Sequence, residues 1–219
     1  MHYIAIQNTY DIFQVALFKN HQLVDTIQED KRHTSSLLLC SLEKLLKRNG
    51  TSLHAISFCA VNCGPGPFST LRSVLATING LHLATHIPLI CIDGLKATFD
   101  ELYDQSYDYT VVLLNAFSNE VYYLLAEGNT IIASGYKEIN SLLANIASRT
   151  QDKKINFIGN GAVLHQQSIE DLFKNMTLQQ SSMCSIAQIG SIGLKMFEAN
   201  NYSLGYLKPL YLKKHAVEK

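Results

Sequence analysis

The sequence carries no excess of either charge: in 219 residues, 18 Lys and Arg are matched by 18 Asp and Glu. A chain without a net field has no general means of holding a polyanion, so any involvement with nucleic acid is expected to run through a partner. No apolar run reaches membrane-spanning length. The opening residues 1–7 lack a basic region followed by a sustained apolar core, which argues against a secretory signal and for a cytoplasmic protein away from membranes. Five cysteines, an odd number without framework spacing, fit reduced thiols rather than disulfides. Cys59 and Cys63 lie close along one strand and no His or Cys pair completes a zinc set, so no metal or other cofactor is expected.

What is present has the balance of an ordinary globular protein, with 47% hydrophobic and 16% charged residues. Its most informative stretch is 61–80, where an apolar strand runs into Gly64-Pro65-Gly66-Pro67 and then a helical pattern with apolar residues at Leu71, Val74, Leu75, Ile78 and Leu81. Ser69 and Thr70 are the expected N-caps. A glycine-rich turn between strand and helix can cradle phosphate on backbone N–H groups. Here no Lys enters the helix, and two prolines remove two donors, so a structural turn is favoured. Gly64, Gly66 and Ser69 remain the candidates for a vestigial nucleotide or phosphate loop.

The helix itself has two unlike sides. Opposite the apolar series, Ser73, Ala76, Thr77, Gly80 and Ala84 form a stripe of small residues, and its one full charge is Arg72. Such a stripe lets another helix approach closely, from the same chain or from a second one. A helix predicted over 34–48 is also more apolar than one sheet contact requires, with Leu37, Leu38, Leu39, Leu42, Leu45 and Leu46 covering more than one stripe.

In chain order, strands are predicted at 3–7, 12–19, 22–28, 55–61 and 88–93, then again at 109–115, 120–126, 130–136 and 155–158. Helices follow at 34–48, 69–85, up to 102, 141–148 and 186–199, the last capped by Ser185. Three strands, a helix, a strand and a helix occur twice, which suggests a duplicated α/β chain. The polar stretch 100–108 marks the expected boundary between domains 1–103 and 104–219. The tail 206–214 is expected to dock as an edge strand or along the surface.

At this point the residues resemble a known family. Gly64-Pro65-Gly66 with Phe68, Ser69, Leu71 and Arg72 is similar to the Gly-Pro-Gly-Ser-Phe-Thr-Gly-Leu-Arg signature of the bacterial TsaB (YeaZ) proteins. His33 with Leu37 to Leu39, Ala116 with Glu120-Val121-Tyr122, and Pro209-Leu210-Tyr211-Leu212 match further family segments in order. The resemblance implies the duplicated actin-like ATPase (ribonuclease H-like) fold, two small α/β domains with mixed sheets. It also implies a non-catalytic accessory subunit that pairs with the TsaD catalytic subunit, joined by the ATPase TsaE, for threonylcarbamoyl transfer to the adenosine beside the tRNA anticodon. Pairing would use helices 34–48 and 69–85, so His33, Leu37, Arg72, Ser73, Ala76, Thr77, Gly80 and Ala84 are the residues expected to meet the partner. tRNA would be reached only through the complex, and a homodimer is possible when the chain is alone.

The sequence departs from the family where relatives carry two acids. Gln7 stands in place of an Asp at the end of the first strand, and Asn115 in place of the Asp that opens the second half. Neutral amides do not serve as general bases near neutral pH. Two alternatives stay open: a stand-alone nucleotide-dependent enzyme of the actin and sugar kinase fold, and a glycoprotease-like peptidase using Cys63 or His33. His33 otherwise reads as a capping or interface residue, Cys63 as a packed thiol, and Lys208, Lys213, Lys214 and Lys219 as a basic, solvated tail.

Overall fold

Alternating apolar residues on either side of Asn20-His21 demand a hairpin. The computed structural model, which describes residues 1–179, 181, 183–210 and 212, forms it, with β1 (His2–Asn8), β2 (Ile12–Lys19) and β3 (Gln22–Asp30) antiparallel. α1 (Thr34–Arg48), β4 (Ile56–Asn62), α2 (Phe68–Thr85) and β5 (Leu89–Ile92) follow, β4 pairing parallel to β1 and β5 parallel to β4. After α3 (Gly94–Leu102) the second half opens with β6 (Tyr109–Asn115), β7 (Glu120–Glu127) and β8 (Thr130–Glu138), then α4 (Ile139–Thr150) and β9 (Ile155–Ile158). α5 (Asn160–Leu164), α6 (Gln166–Leu172), β10 (Met176–Gln179) and α7 (Ile186–Glu198) complete it.

The two five-stranded sheets have the same connectivity, β3-β2-β1-β4-β5 and β8-β7-β6-β9-β10. The likeness extends to irregularities. Leu17 pairs with Asp25 and Phe18 with Leu23, passing over Val24, while Leu125 pairs with Ala133 and Ala126 with Ile131, passing over Ile132. Bulges at these matching places twist both edge strands, which discourages edge-to-edge pairing. Each half also turns from its fourth strand on a glycine of positive φ, Gly64 at 106° and Gly159 at 104°. A Cβ on Gly159 would lie 2.3 Å from the Leu113 carbonyl oxygen, so that turn admits glycine alone.

Contacts divide the chain into one unit of Met1–Ala97 with Ser185–Leu210 and another holding Thr98–Cys184. This corrects the cut expected at 103–104, because α7 belongs with the first sheet. Alternate residues of β1 and β4 point to opposite faces. Ile4, Ile6, Cys59 and Val61 meet Leu38, Leu42 and Leu45 of α1 and Leu71, Val74, Leu75 and Ile78 of α2 in one core cluster. On the other face Tyr3 stacks between Phe18 and Phe58, at ring separations of 4.9 and 4.5 Å, and Phe58 stacks on Phe197 of α7 at 4.6 Å. In the second unit, Val111, Leu113, Val121 and Phe157 meet Leu142, Leu143 and Ile146 of α4 and Ile169 of α6.

Helix starts differ from expectation. α2 begins at Phe68 with Pro67 in the capping position and no side-chain cap, so Ser69 and Thr70 lie inside its first turn. Thr70 Oγ1 donates back to the Pro67 carbonyl at 3.1 Å. α5, α6 and β10 were not anticipated, because five- and seven-residue helices are too short to show a period. Of the expected tail, Tyr211, Lys213, Lys214 and Lys219 lie outside the described residues; Lys208 is exposed.

Close approach of α7 rests on glycine, since a Cβ at Gly193 would come 2.4 Å from Ala60 Cβ. Gly193→Ala is expected to lower the urea midpoint, with a loss of about 1–3 kcal/mol from overpacking and an unchanged m value.

Candidate functional site

α1 and α2 lie side by side on one face of the first sheet, each burying its apolar series in the same core. On α2 Ser69, Arg72, Ala76, Gly80, Leu83 and Ala84 are exposed, with Ser73 and Thr77 half-buried. Gly80 has open space where a Cβ would stand. Two hydroxyls on this side are bonded back to the helix: Ser73 Oγ donates to the Ser69 carbonyl at 3.1 Å and Thr77 Oγ1 to the Ser73 carbonyl at 2.9 Å. Hydroxyls satisfied in this way leave a face that is chemically close to apolar. Leu83 is 62% exposed and, on α1, Leu39 is 53% exposed beside Cys40. The Arg72 guanidinium lies 3.8 Å over the Phe68 ring, where cation and ring face attract.

The other two expected residues are less available or differently used. Leu37 is half-buried and packs against the core, so its contribution to an outer face is partial. His33 is exposed at the N-cap of α1 and makes no side-chain cap. Thr34 instead ties the helix start, its hydroxyl lying 2.7 Å from the Lys31 carbonyl and 3.1 Å from Asn8 Oδ1. Leu39 and Leu83 were not named as site residues, although Leu83 falls at helical spacing from Ala76 and Gly80.

At the carboxyl ends of β1 and β4 sits a set of buried amides. Asn62 Nδ2 donates to Gln7 Oε1 at 3.3 Å, and Asn62 Oδ1 accepts from the Gly64 N–H at 3.0 Å. With Asn8 bound to Thr34, the amides connect the strand ends to the start of α1 and to the glycine turn before α2. That turn contains a cis Gly64–Pro65 peptide, and the Gly64 carbonyl accepts from the Gly94 N–H at 2.8 Å. Two of its residues are prolines and the Gly64 N–H is already engaged, so few donors remain for a phosphate. In the second unit the Asn115 N–H donates to Asn160 Oδ1 at 3.1 Å, and Asn115 Oδ1 accepts from the Phe117 N–H at 2.8 Å. Both amides therefore serve local geometry.

Three of the thiols, Cys63 among them, are unsuited to nucleophilic work. Burial pushes Cys59 and Cys184 up to about 12, and Cys63 is raised further by its neighbour Cys91 and by burial. A thiol held neutral is a poor nucleophile at physiological pH. Among the described residues no group of three or more His, Cys, Asp or Glu is placed to hold a metal ion, and no helix is long and apolar enough to cross a membrane.

Comparison with known proteins adds a family to this geometry. The family model described as TsaD: tRNA N6-adenosine threonylcarbamoyltransferase matches residues 25–208. The tRNA threonylcarbamoyladenosine biosynthesis protein TsaB of Buchnera aphidicola subsp. Acyrthosiphon pisum is 23% identical over 178 residues, covering 80% of this chain and 72% of that one. The chain belongs to this family, as a TsaB (YeaZ) protein. A Pseudomonas aeruginosa crystal structure, described as similar to peptidase YEAZ, superposes with a TM-score of 0.77 at 17% identity, covering 97% of this chain and 99% of that one. The Lmo2764 protein of Listeria monocytogenes, a candidate N-acetylmannosamine kinase, gives 0.55 at 10% identity over 91% of this chain and all of its own. The duplicated actin-like fold expected of TsaB proteins is thus the one observed.

Restoring a carboxylate at the first departure tests what the amide does. Gln7 is 1% exposed, so Gln7→Glu is expected to bury an acid that desolvation holds above its ordinary value. A raised folded-state pKa makes the variant nearly neutral in stability below the unfolded value of about 4.3 and progressively worse above it. Thermal unfolding from pH 4 to 8 should show a deficit that grows with pH, reaching about 3 kcal/mol at pH 7.

Proposed function

We propose that this chain is a non-catalytic accessory subunit. It pairs through the outward faces of α1 and α2 with a TsaD-type subunit, which carries the chemistry of threonylcarbamoyl transfer to the adenosine beside the tRNA anticodon, and a TsaE-type ATPase joins them. tRNA is engaged through the complex rather than by this chain alone, consistent with equal numbers of acidic and basic side chains. Such a role places the protein in the cytoplasm. In the absence of the partner, the same face can self-associate.

The observation that carries this reading is the exposed run Ala76, Gly80, Leu83 and Ala84 on α2, with Leu39 exposed on α1. A helix lying on a sheet ordinarily turns charge to solvent. Here the α2 face offers small residues that let another helix come close, with a leucine to bury. Burial of that surface contributes about 25 cal/mol per Å², less the costs of association and ordering. The amides at Gln7 and Asn115 support the non-catalytic part, since each is committed to neighbours in its own unit.

Ala76→Arg and Gly80→Arg each place a long cation on the face. Both are expected to weaken pairing with the TsaD-type subunit at least a hundredfold, about 2.7 kcal/mol, in a titration of the purified proteins. Melting temperatures should stay near wild type, because Gly80 faces open space. Wild-type affinity in both variants would count decisively against the assignment.

A further inference from the structure

Residues 203–210 run as a strap over the first unit, held at three separate ties. Ser203 and Leu89 exchange backbone hydrogen bonds of 2.8 and 3.1 Å at the edge of β5. The Leu207 N–H donates to Asn79 Oδ1 at 2.8 Å, and Asn79 Nδ2 donates to the Leu207 carbonyl at 3.0 Å. Finally, the Leu210 N–H donates to the Cys63 carbonyl at 2.9 Å, next to the glycine turn. Leu207 is buried and Leu210 packs against the same core as α1 and α2. Beneath the strap, by the β5 edge, is a cavity of about 370 Å³ whose lining includes Leu89, Cys91, Ser203 and Leu207. The strap is thus pinned at points rather than laid down as a continuous ladder.

The middle tie falls on the weakest part of α2. Asn79 and Gly80 are consecutive, and both are poor helix residues: asparagine competes for backbone groups through its side chain, and glycine gives up the most backbone entropy. Pairing both ends of the Asn79 amide with the Leu207 main chain removes that competition. Asn79 also lies three residues after Ala76 and four before Leu83, so the tie acts on the turns that carry the exposed face. Tyr206 extends the same flank, its ring edge-on to His82 at 6.4 Å with 60% of the residue exposed.

We infer that the strap positions the docking face: the Asn79–Leu207 tie holds the Asn79-Gly80 turn helical and so keeps Ala76, Gly80, Leu83 and Ala84 on one surface. Asn79 is a positioning residue, acting through the helix rather than by touching the partner. The inference rests on the pairing proposed above.

Asn79→Ala separates this from a plain effect of helix propensity, because alanine is the better helix former and would stabilise α2 if the strap did nothing. Amide hydrogen exchange on the isolated chain should show Leu207 and residues 80–85 exchanging about tenfold faster, with β1 and β4 unchanged. Affinity for the TsaD-type subunit should fall about tenfold, a size usual for coupling between sites. Asn79→Asp, which keeps the acceptor and loses the donor, should fall between the two. Faster exchange at Leu207 with wild-type affinity would overturn the inference, as would unchanged exchange. Gly80→Arg is the control: if it too binds as wild type, the docking assignment itself has failed and the strap's role falls with it.

Discussion

The rest of the structure depends on how α1 and α2 share one face of the first sheet. Their leucines, valines and isoleucines enter the core cluster of β1, β2, β4 and β5, which fixes the helices' rotation and therefore what they turn outward. The opposite face of the sheet is occupied by α7, seated on Phe18 and Ala60 by Gly190 and Gly193. With both faces of the sheet covered, the outer sides of α1 and α2 are turned to solvent. On α2 that side is alanine, glycine and leucine, with its hydroxyls bonded back to the helix.

The ends of the strands complement that arrangement. In an α/β sheet the carboxyl ends of the parallel strands are the usual place for ligands. Here Gln7, Asn8 and Asn62 link those ends to the start of α1 and to the turn before α2. A carboxylate accepts only, whereas an amide both donates and accepts, so Asn62 can reach Gln7 and Gly64 at once. In this chain these amides are part of what holds the two helices in place.

Much of this was legible in the sequence. α1 and three of the strands, β2, β6 and β9, have the expected bounds, because their patterns are periodic and end at Asn-Gly, Gly-Asn-Gly or a polar turn. The duplication showed in the order of elements, though only the structure reveals that the bulges at Val24 and Ile132 also correspond. The allegiance of α7 was hidden, since nothing local to Ser185–Glu198 says which sheet its glycines will meet. The strap was foreseen as an extended tail, yet its tie to Asn79 joins residues 128 apart in sequence and leaves no local pattern to read. On the site, the small-residue stripe was plain, while the partial burial of Leu37 depended on the helix rotation that only packing sets.

The central claim is that the outer sides of α1 and α2 meet another protein. Its most direct test is amide hydrogen exchange of this chain with and without the TsaD-type subunit, mapped along the sequence. The account predicts new protection confined to residues 36–44 and 72–84, with the amides of β6 to β10 unaffected. Protection that appears elsewhere while both helices exchange as in the free chain would contradict it.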